Sequence, residues 1–388
     1  MPSYDKNDIV EVKNRQQRKK KLIRFGIFIV IVGIITGLYL TYDMWSGKIR
    51  GIGKQYSTII NSGKLADGNF PIEITGEYDY QLRQTQNKLI ILSDAHIFFY
   101  NADGVLMKKQ QHEYTNAVLQ ADNGRALIYE NGGDDFCIED EEGVLFKNKF
   151  DNNIMFARIS PEGYSAVVTT SENYDCEIFI YDKKGNMIYQ RKCMERVNDL
   201  SFINGSTGCA ISYIKAENGL LVTSVQQIDF TESTEKWTSA GVNTAGLDVF
   251  GYSDGAFVLG IDACGYINGN GQISSYYHYD GDLAGGASID GKSAVIVNND
   301  DLRKYVMILF KGNTSEATII DLGQPAVDVI VYDGLAYVMC KQEIRAYDFS
   351  GKLRSTATVS DSYSGFVRSD EYIFLKGYNK IDRIDYDS

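Results

Sequence analysis

Hydrophobic and polar positions alternate along most of this chain in short runs, which Asp, Asn and Gly interrupt at regular intervals. A period of two marks a strand with one buried face, and Asp/Asn-Gly punctuation marks the hairpin joining two such strands. One segment recurs. Residues 96–104 read His-Ile-Phe-Phe-Tyr-Asn-Ala-Asp-Gly, residues 177–185 Glu-Ile-Phe-Ile-Tyr-Asp-Lys-Lys-Gly, and residues 343–351 Glu-Ile-Arg-Ala-Tyr-Asp-Phe-Ser-Gly. Each predicts a strand closed by a turn with glycine where φ is positive. The same turn recurs at Gly143, Gly271 and Gly312, giving spacings of 39, 42, 86, 41 and 39. The 86 covers two repeats, with a glycine-free turn at 231–234 between them.

A second ladder of turns, at Gly124, Gly163, Gly205, Gly255, Gly291 and Gly334, runs between the rungs of the first. Glycines 124, 163, 205 and 291 each follow a glycine of the first ladder by 20 residues. Together the ladders define a unit of about 40 residues with four strands and two tight turns, which is a β-propeller blade. Seven complete units run from Glu77 to Ser360. An eighth begins at Tyr363 and has three strands when the chain stops at Ser388. The apolar segment 69–76, ahead of the first unit, supplies the missing outermost strand and closes the ring; Pro71 is tolerable there because an outermost strand has one unpaired edge. The expected fold is all-β, an eight-bladed β-propeller. Seven blades is the alternative, because residues 220–280 are poorly patterned.

One stretch breaks this pattern. Residues 25–42 carry no charge and are rich in Ile, Val, Leu and Phe. A helix of that length spans about 27 Å, close to the roughly 30 Å of a bilayer's hydrocarbon core. It predicts a transmembrane α-helix over 25–45 that meets lipid from residue 22, with Tyr39, Tyr42 and Trp45 at the far interface. Arg18, Lys19, Lys20, Lys21 and Arg24 hold the near end in the cytoplasm by the positive-inside rule. A cleaved signal peptide would have a shorter apolar core and a small-residue cleavage site, which Asp43-Met44-Trp45-Ser46 does not offer. The expected order is a basic cytoplasmic tail (1–24), the helix (25–45), a juxtamembrane connector (46–68) and an extracytoplasmic propeller (69–388) in a single-pass protein of the cell membrane.

Charge sharpens this layout. The chain of 388 residues carries a net −12, but residues 1–24 hold eight Lys or Arg against three Asp or Glu, so the remainder carries −17. An acidic body argues against nucleic-acid binding, which needs a basic face for the phosphates. Topology then gives part of the acidity an address. In a four-strand meander the first and third connections share one end, here taken by the glycine turns. The second connections lie at the other end and contain Glu130, Asp134, Asp135, Glu172, Asp175, Glu217, Asp300 and Asp301. Propellers use such loop faces for binding, and crowded carboxylates there could bind Ca²⁺ or a basic partner; a merely solvated acidic rim is the plainer reading. No other cofactor is expected.

Other motifs carry less. Gly251-Tyr252-Ser253-Asp254-Gly255 matches a nucleophile elbow but sits on a rung of the second ladder, without the strand–helix frame an elbow needs. His96, His112 and His278 have no metal-ligand spacing. Of six cysteines, Cys176 and Cys193 flank the hairpin at 183–185 and would form a disulfide if the register sets them opposite; a shift of one residue would put them on opposite faces.

The layout of basic residues 18–24, apolar 25–42 and Tyr-Asp-x-x-Gly hairpins at 181–185 and 347–351 resembles an uncharacterised family of single-pass membrane proteins of clostridia-like Gram-positive bacteria. Their exported propeller is a domain of unknown function, so the resemblance implies no catalytic residues. Eight blades are also found in the quinoprotein dehydrogenases and the outer-membrane assembly lipoprotein. The dehydrogenases dock their blades with recurrent tryptophans, whereas Trp237 is the only tryptophan after the anchor. The expected function is a binding or scaffold protein presenting its loop face to an envelope protein or an extracellular ligand. The alternative is an extracytoplasmic enzyme, a hydrolase, lyase or quinoprotein-like oxidoreductase, with its site at the channel.

Overall fold

The computed structural model describes residues 59–60, 64–65, 69–74 and 79–385, apart from 233 and 313–315. The expected tail (1–24) and helix (25–45) lie outside these residues, as does most of the connector. Among the described residues no helix is long and apolar enough to cross a membrane.

Eight antiparallel sheets follow one another along the chain, each an up-and-down meander. Blades 1 to 8 span residues 81–111, 117–149, 154–193, 197–238, 246–278, 282–321, 326–358 and 363–385. The fold is an all-β, eight-bladed propeller. The first strand of each blade is innermost and the last outermost, and the side chains follow that order. Lys88–Leu92, the second strand of blade 1, is buried along nearly its whole length, whereas the outermost Leu106–Gln111 exposes alternate positions. The core lies between blades. Ile90, Leu92, Ile97 and Phe99 of blade 1 pack on Leu119, Ala126 and Ile128 of blade 2. Ile178 and Ile180 of blade 3 meet Leu200, Ile211 and Ile228 of blade 4 in the same way. Each such side chain contributes about 1.5–3 kcal/mol when fully buried, so a blade without two neighbours loses much of its stabilisation.

Blade 8 takes three strands from the end of the chain, Tyr363–Val367, Tyr372–Gly377 and Lys380–Asp385. Its outer edge is covered by Ile72–Glu73, with Ile72 opposite Ile381 and Glu73 opposite Lys380, and by Lys64–Leu65, with Lys64 opposite Asp385. Ile72 and Ile74 are buried with Phe374 and Ile381 of blade 8 and with Leu82, Leu89 and Ile91 of blade 1. The Tyr80 hydroxyl donates to the Gly377 carbonyl at 2.7 Å across the same junction. Ile59–Ile60 adds a strand to the edge of blade 7, parallel to Leu353–Thr358. A strand of two residues leaves no alternation to read, so nothing in the residue pattern marks this one.

The turn ladders have a common chemistry. At the third connection an Asn or Asp side chain accepts backbone amides two and four residues on. Asn101 accepts from Asp103 and Val105 at 3.0 and 2.9 Å, Asp182 from Lys184 and Asn186 at 2.8 and 2.9 Å, and Asp348 from Ser350 and Lys352 at 2.9 and 3.0 Å. In the glycine-free turn of blade 4, Asp229 does the same for Thr231 at 2.9 Å. Gly185 shows why glycine closes the others: its φ is 85°, and a Cβ there would lie 2.8 Å from the Phe146 ring.

Candidate functional site

Two cavities are candidates, one along the channel wall and one at the end of the ring formed by the second and fourth connections. One, of about 400 Å³, is lined by the innermost strands of blades 1, 7 and 8 and includes Arg83, Asp328, Ser364 and Lys376. The other, of about 340 Å³, lies between blades 1 and 2 and is lined by Ser93, Asp94, Asn116 and Asn131. Gln81 lines both, and it is fixed by donating to the Ala117 carbonyl at 2.7 Å and accepting from the Leu119 amide at 2.9 Å.

The channel wall is charged. Innermost strands carry an irregularity after Val197, Gly246 and Ala326, and the residue two places on is Asp199, Asp248 or Asp328. Asp199 accepts the Val249 amide of blade 5 at 2.9 Å, and Asp328 accepts the Phe366 amide of blade 8 at 3.3 Å. These carboxylates therefore tie one blade to the next. Asp199 also pairs with Arg158 of blade 3 at 2.6 Å. Burial raises the pKa of both Asp199 and Asp328; amide hydrogen bonds and the cations Arg158 and Arg83 oppose it. Arg83 has an exposed surface, yet burial lowers its pKa, with Arg158 adding to the effect and Asp328 opposing it. A guanidinium that water reaches but protein surrounds is what a side chain projecting into a channel presents. Sequence reasoning missed this set. Its one local signal is Asp in the third place of an innermost strand, at Val197-Asn198-Asp199, Gly246-Leu247-Asp248 and Ala326-Val327-Asp328.

The eight carboxylates expected at this end all lie at or beside second connections. Glu130 ends the second strand of blade 2, and Asp135 opens the third. Burial, then the neighbouring Asp134 carboxylate, raises the Asp135 pKa, while Asp134 pairs with Lys149 at 2.9 Å. Glu172 and Asp175 are exposed between Ser165–Thr169 and Cys176–Tyr181 of blade 3. Asp300 and Asp301 are exposed at the tip of a long hairpin between Lys292–Asn299 and Lys304–Lys311. Residues 216–218 are not the loop the sequence suggested. Gly208–Glu217 and Leu220–Asp229 run ten residues each and meet in a two-residue turn, Asn218-Gly219 at positive φ, so Glu217 ends a strand and pairs with Lys215 at 2.8 Å. The acidic residues are spread around the rim: among the described residues no group of three or more His, Cys, Asp or Glu is placed to hold a metal ion.

Cys176 and Cys193 lie directly opposite each other, both buried, and the structure records them as free thiols. His96 and His112 belong to blade 1 and its exit, His278 to blade 5. Tyr252 pairs with Gly255 across the first hairpin of blade 5, so Ser253 sits in an ordinary turn.

Solved structures with this architecture include BamB from Moraxella catarrhalis, at 12% identity and a TM-score of 0.55 over 83% of this chain and 99% of that one. They also include the computationally designed protein Ika8, at 10% identity and 0.58 over 85% and 100%, and Sqt1 of Saccharomyces cerevisiae, at 9% and 0.59 over 84% and 99%. At these identities the likeness is one of fold. No curated protein matches the chain in sequence. Residues 69–385, which hold the four-stranded meanders of the ring, match a family of unknown function, and the chain belongs to that family, DUF5711.

Proposed function

We propose that this protein is a membrane-anchored binding scaffold whose propeller, outside the cytoplasm, holds a basic envelope protein or extracellular ligand on the end formed by its second connections. The observation that carries the reading is the coincidence, at one end of the ring, of the cavity between blades 1 and 2 with the eight carboxylates. Exposed carboxylates on separate hairpins suit an extended basic surface, because each contact adds little alone and the ring spaces many of them. The charges in the channel wall are held by backbone amides and by one another, which suits a supporting wall more than reacting groups. The anchor rests on the uncharged run at 25–42 and the basic cluster before it, which together also set the outward orientation.

Replacing Asp134, Asp135, Asp300 and Asp301 by Asn tests the face. All four are at least partly exposed, so melting should be nearly unchanged, while affinity for the partner cross-linked from native membranes should fall about tenfold. Unaltered capture would mean that the partner binds elsewhere.

A further inference from the structure

The outer edge of blades 1–3 differs from the rest of the rim. Just past their glycine turns, the outermost strands Leu106–Gln111, Val144–Lys149 and Met187–Cys193 open with exposed Leu106, Met107, Leu145, Met187 and Ile188, of which Met187 is 54% exposed. The same three strands contain six Lys or Arg and no Asp or Glu, whereas Thr234–Thr238, Ile273–His278 and Thr318–Asp321 in blades 4–6 contain one Lys, one Glu and one Asp. Lys109 and Lys147 are exposed on the strands, and Lys183 and Lys184 on the turn before the third, whereas Lys192 lies over the Tyr174 ring at the second-connection end. Of the six cations, Lys108, Lys149 and Arg191 pair with Glu139, Asp134 and Glu235, so the free positive charge of this edge comes from Lys109, Lys147, Lys183 and Lys184. Two carboxylates of the turns are themselves paired, Glu141 with Lys88 and Asp103 with Arg383 at 3.2 Å, while Asp182 caps its turn and keeps its charge. The edges of blades 7 and 8 are covered by Ile59–Ile60 and Lys64–Leu65, while the edges of blades 1–3 pair with no further strand among the described residues.

Strand direction supplies a second, independent observation. Ile59–Ile60 runs parallel to Leu353–Thr358, which starts at the Gly351 turn, so the chain enters this strand from the glycine-turn end of the ring. That is the end at which the apolar residues of blades 1–3 are exposed.

We propose that the glycine-turn edge of blades 1–3 rests on an anionic lipid bilayer. Apolar side chains then enter the headgroup boundary, and lysines beside them meet lipid phosphates. The rest of the propeller is acidic and repelled by the same surface, so the contact turns the second-connection end away from the membrane. The inference rests on residues 22–45 being embedded in lipid, and the test keeps the two apart.

The full-length chain carrying Met187→Cys, or Glu172→Cys on the opposite end, is labelled with bimane; the native cysteines are all buried. It is reconstituted into phosphatidylcholine vesicles with or without phosphatidylglycerol, and flotation after a high-salt wash reports the anchor. Bimane at 187 is expected to be quenched by headgroup nitroxides in the anionic vesicles, and bimane at 172 not. Lys109→Glu and Lys184→Glu should each weaken the contact about fivefold without affecting flotation. Floated protein whose position 187 stays open to aqueous iodide in anionic vesicles overturns the inference and leaves the anchor standing. Shielding of 187 that follows protein density rather than lipid charge assigns the edge to a second copy and also overturns it. A chain that does not float overturns both readings.

Discussion

Asp348 shows what a single side chain contributes here. It caps the third turn of blade 7 by accepting the Ser350 and Lys352 amides and the Arg354 guanidinium, with Nε at 2.7 Å. Burial pushes its carboxyl up, but the Ser350 hydroxyl, the Lys352 amide and Arg354 outweigh burial and hold it at about 2. A carboxyl held below its unfolded value of about 3.9 stabilises the fold above that pH, and the contribution is lost as pH falls through the folded value. Urea unfolding over a pH series should therefore show stability falling from about pH 4 towards pH 2, and Asp348→Asn should flatten that part of the slope. Asp348→Ala removes the acceptor altogether and should cost about 1–3 kcal/mol at neutral pH. An alanine variant as stable as the parent would show that the turn stands without its cap.

Ring closure depends on one short element. Ile72–Glu73 is two residues long, but Ile72 is 5% exposed and sits in the cluster that joins blades 8 and 1. Ile72→Asp places a charge in that cluster and should lower the melting temperature by far more than Glu73→Gln, whose side chain lies on the exposed side of the strand. Equal melting of the two variants would remove the closure argument. The repeats were legible because tight turns need glycine and an Asx cap at set positions, so Gly104, Gly143 and Gly185 mark blades even where strands vary. The fifth strand of blade 7 was not legible, since Ile59–Ile60 pairs through its backbone and leaves no side-chain pattern. The hairpin of blade 4 is hidden for a related reason: Asn218-Gly219 is a turn signal, but the polar Glu217 beside it reads as loop although it ends a strand. Asp199 and Asp328 escaped notice because their roles appear only when the next blade brings an amide against them.

At the scale of the whole molecule, the ring gathers residues far apart in sequence. Gln81, Asp328 and Lys376 line one cavity of the channel, and the carboxylates of blades 2, 3, 4 and 6 gather at one end of the ring. No short motif encodes that convergence, and the sequence reached the acidic end only through the topology of a meander. On the proposed function this end, and not the outer rim, holds the partner. A photo-activated cross-linking side chain introduced at Glu172 or Asp301, and in parallel at the exposed Tyr276 on the outer strand of blade 5, tests it most directly in native membranes. Positions 172 and 301 should give the same adduct and position 276 none. An adduct formed only at 276, or equally at all three positions, would contradict the proposed function.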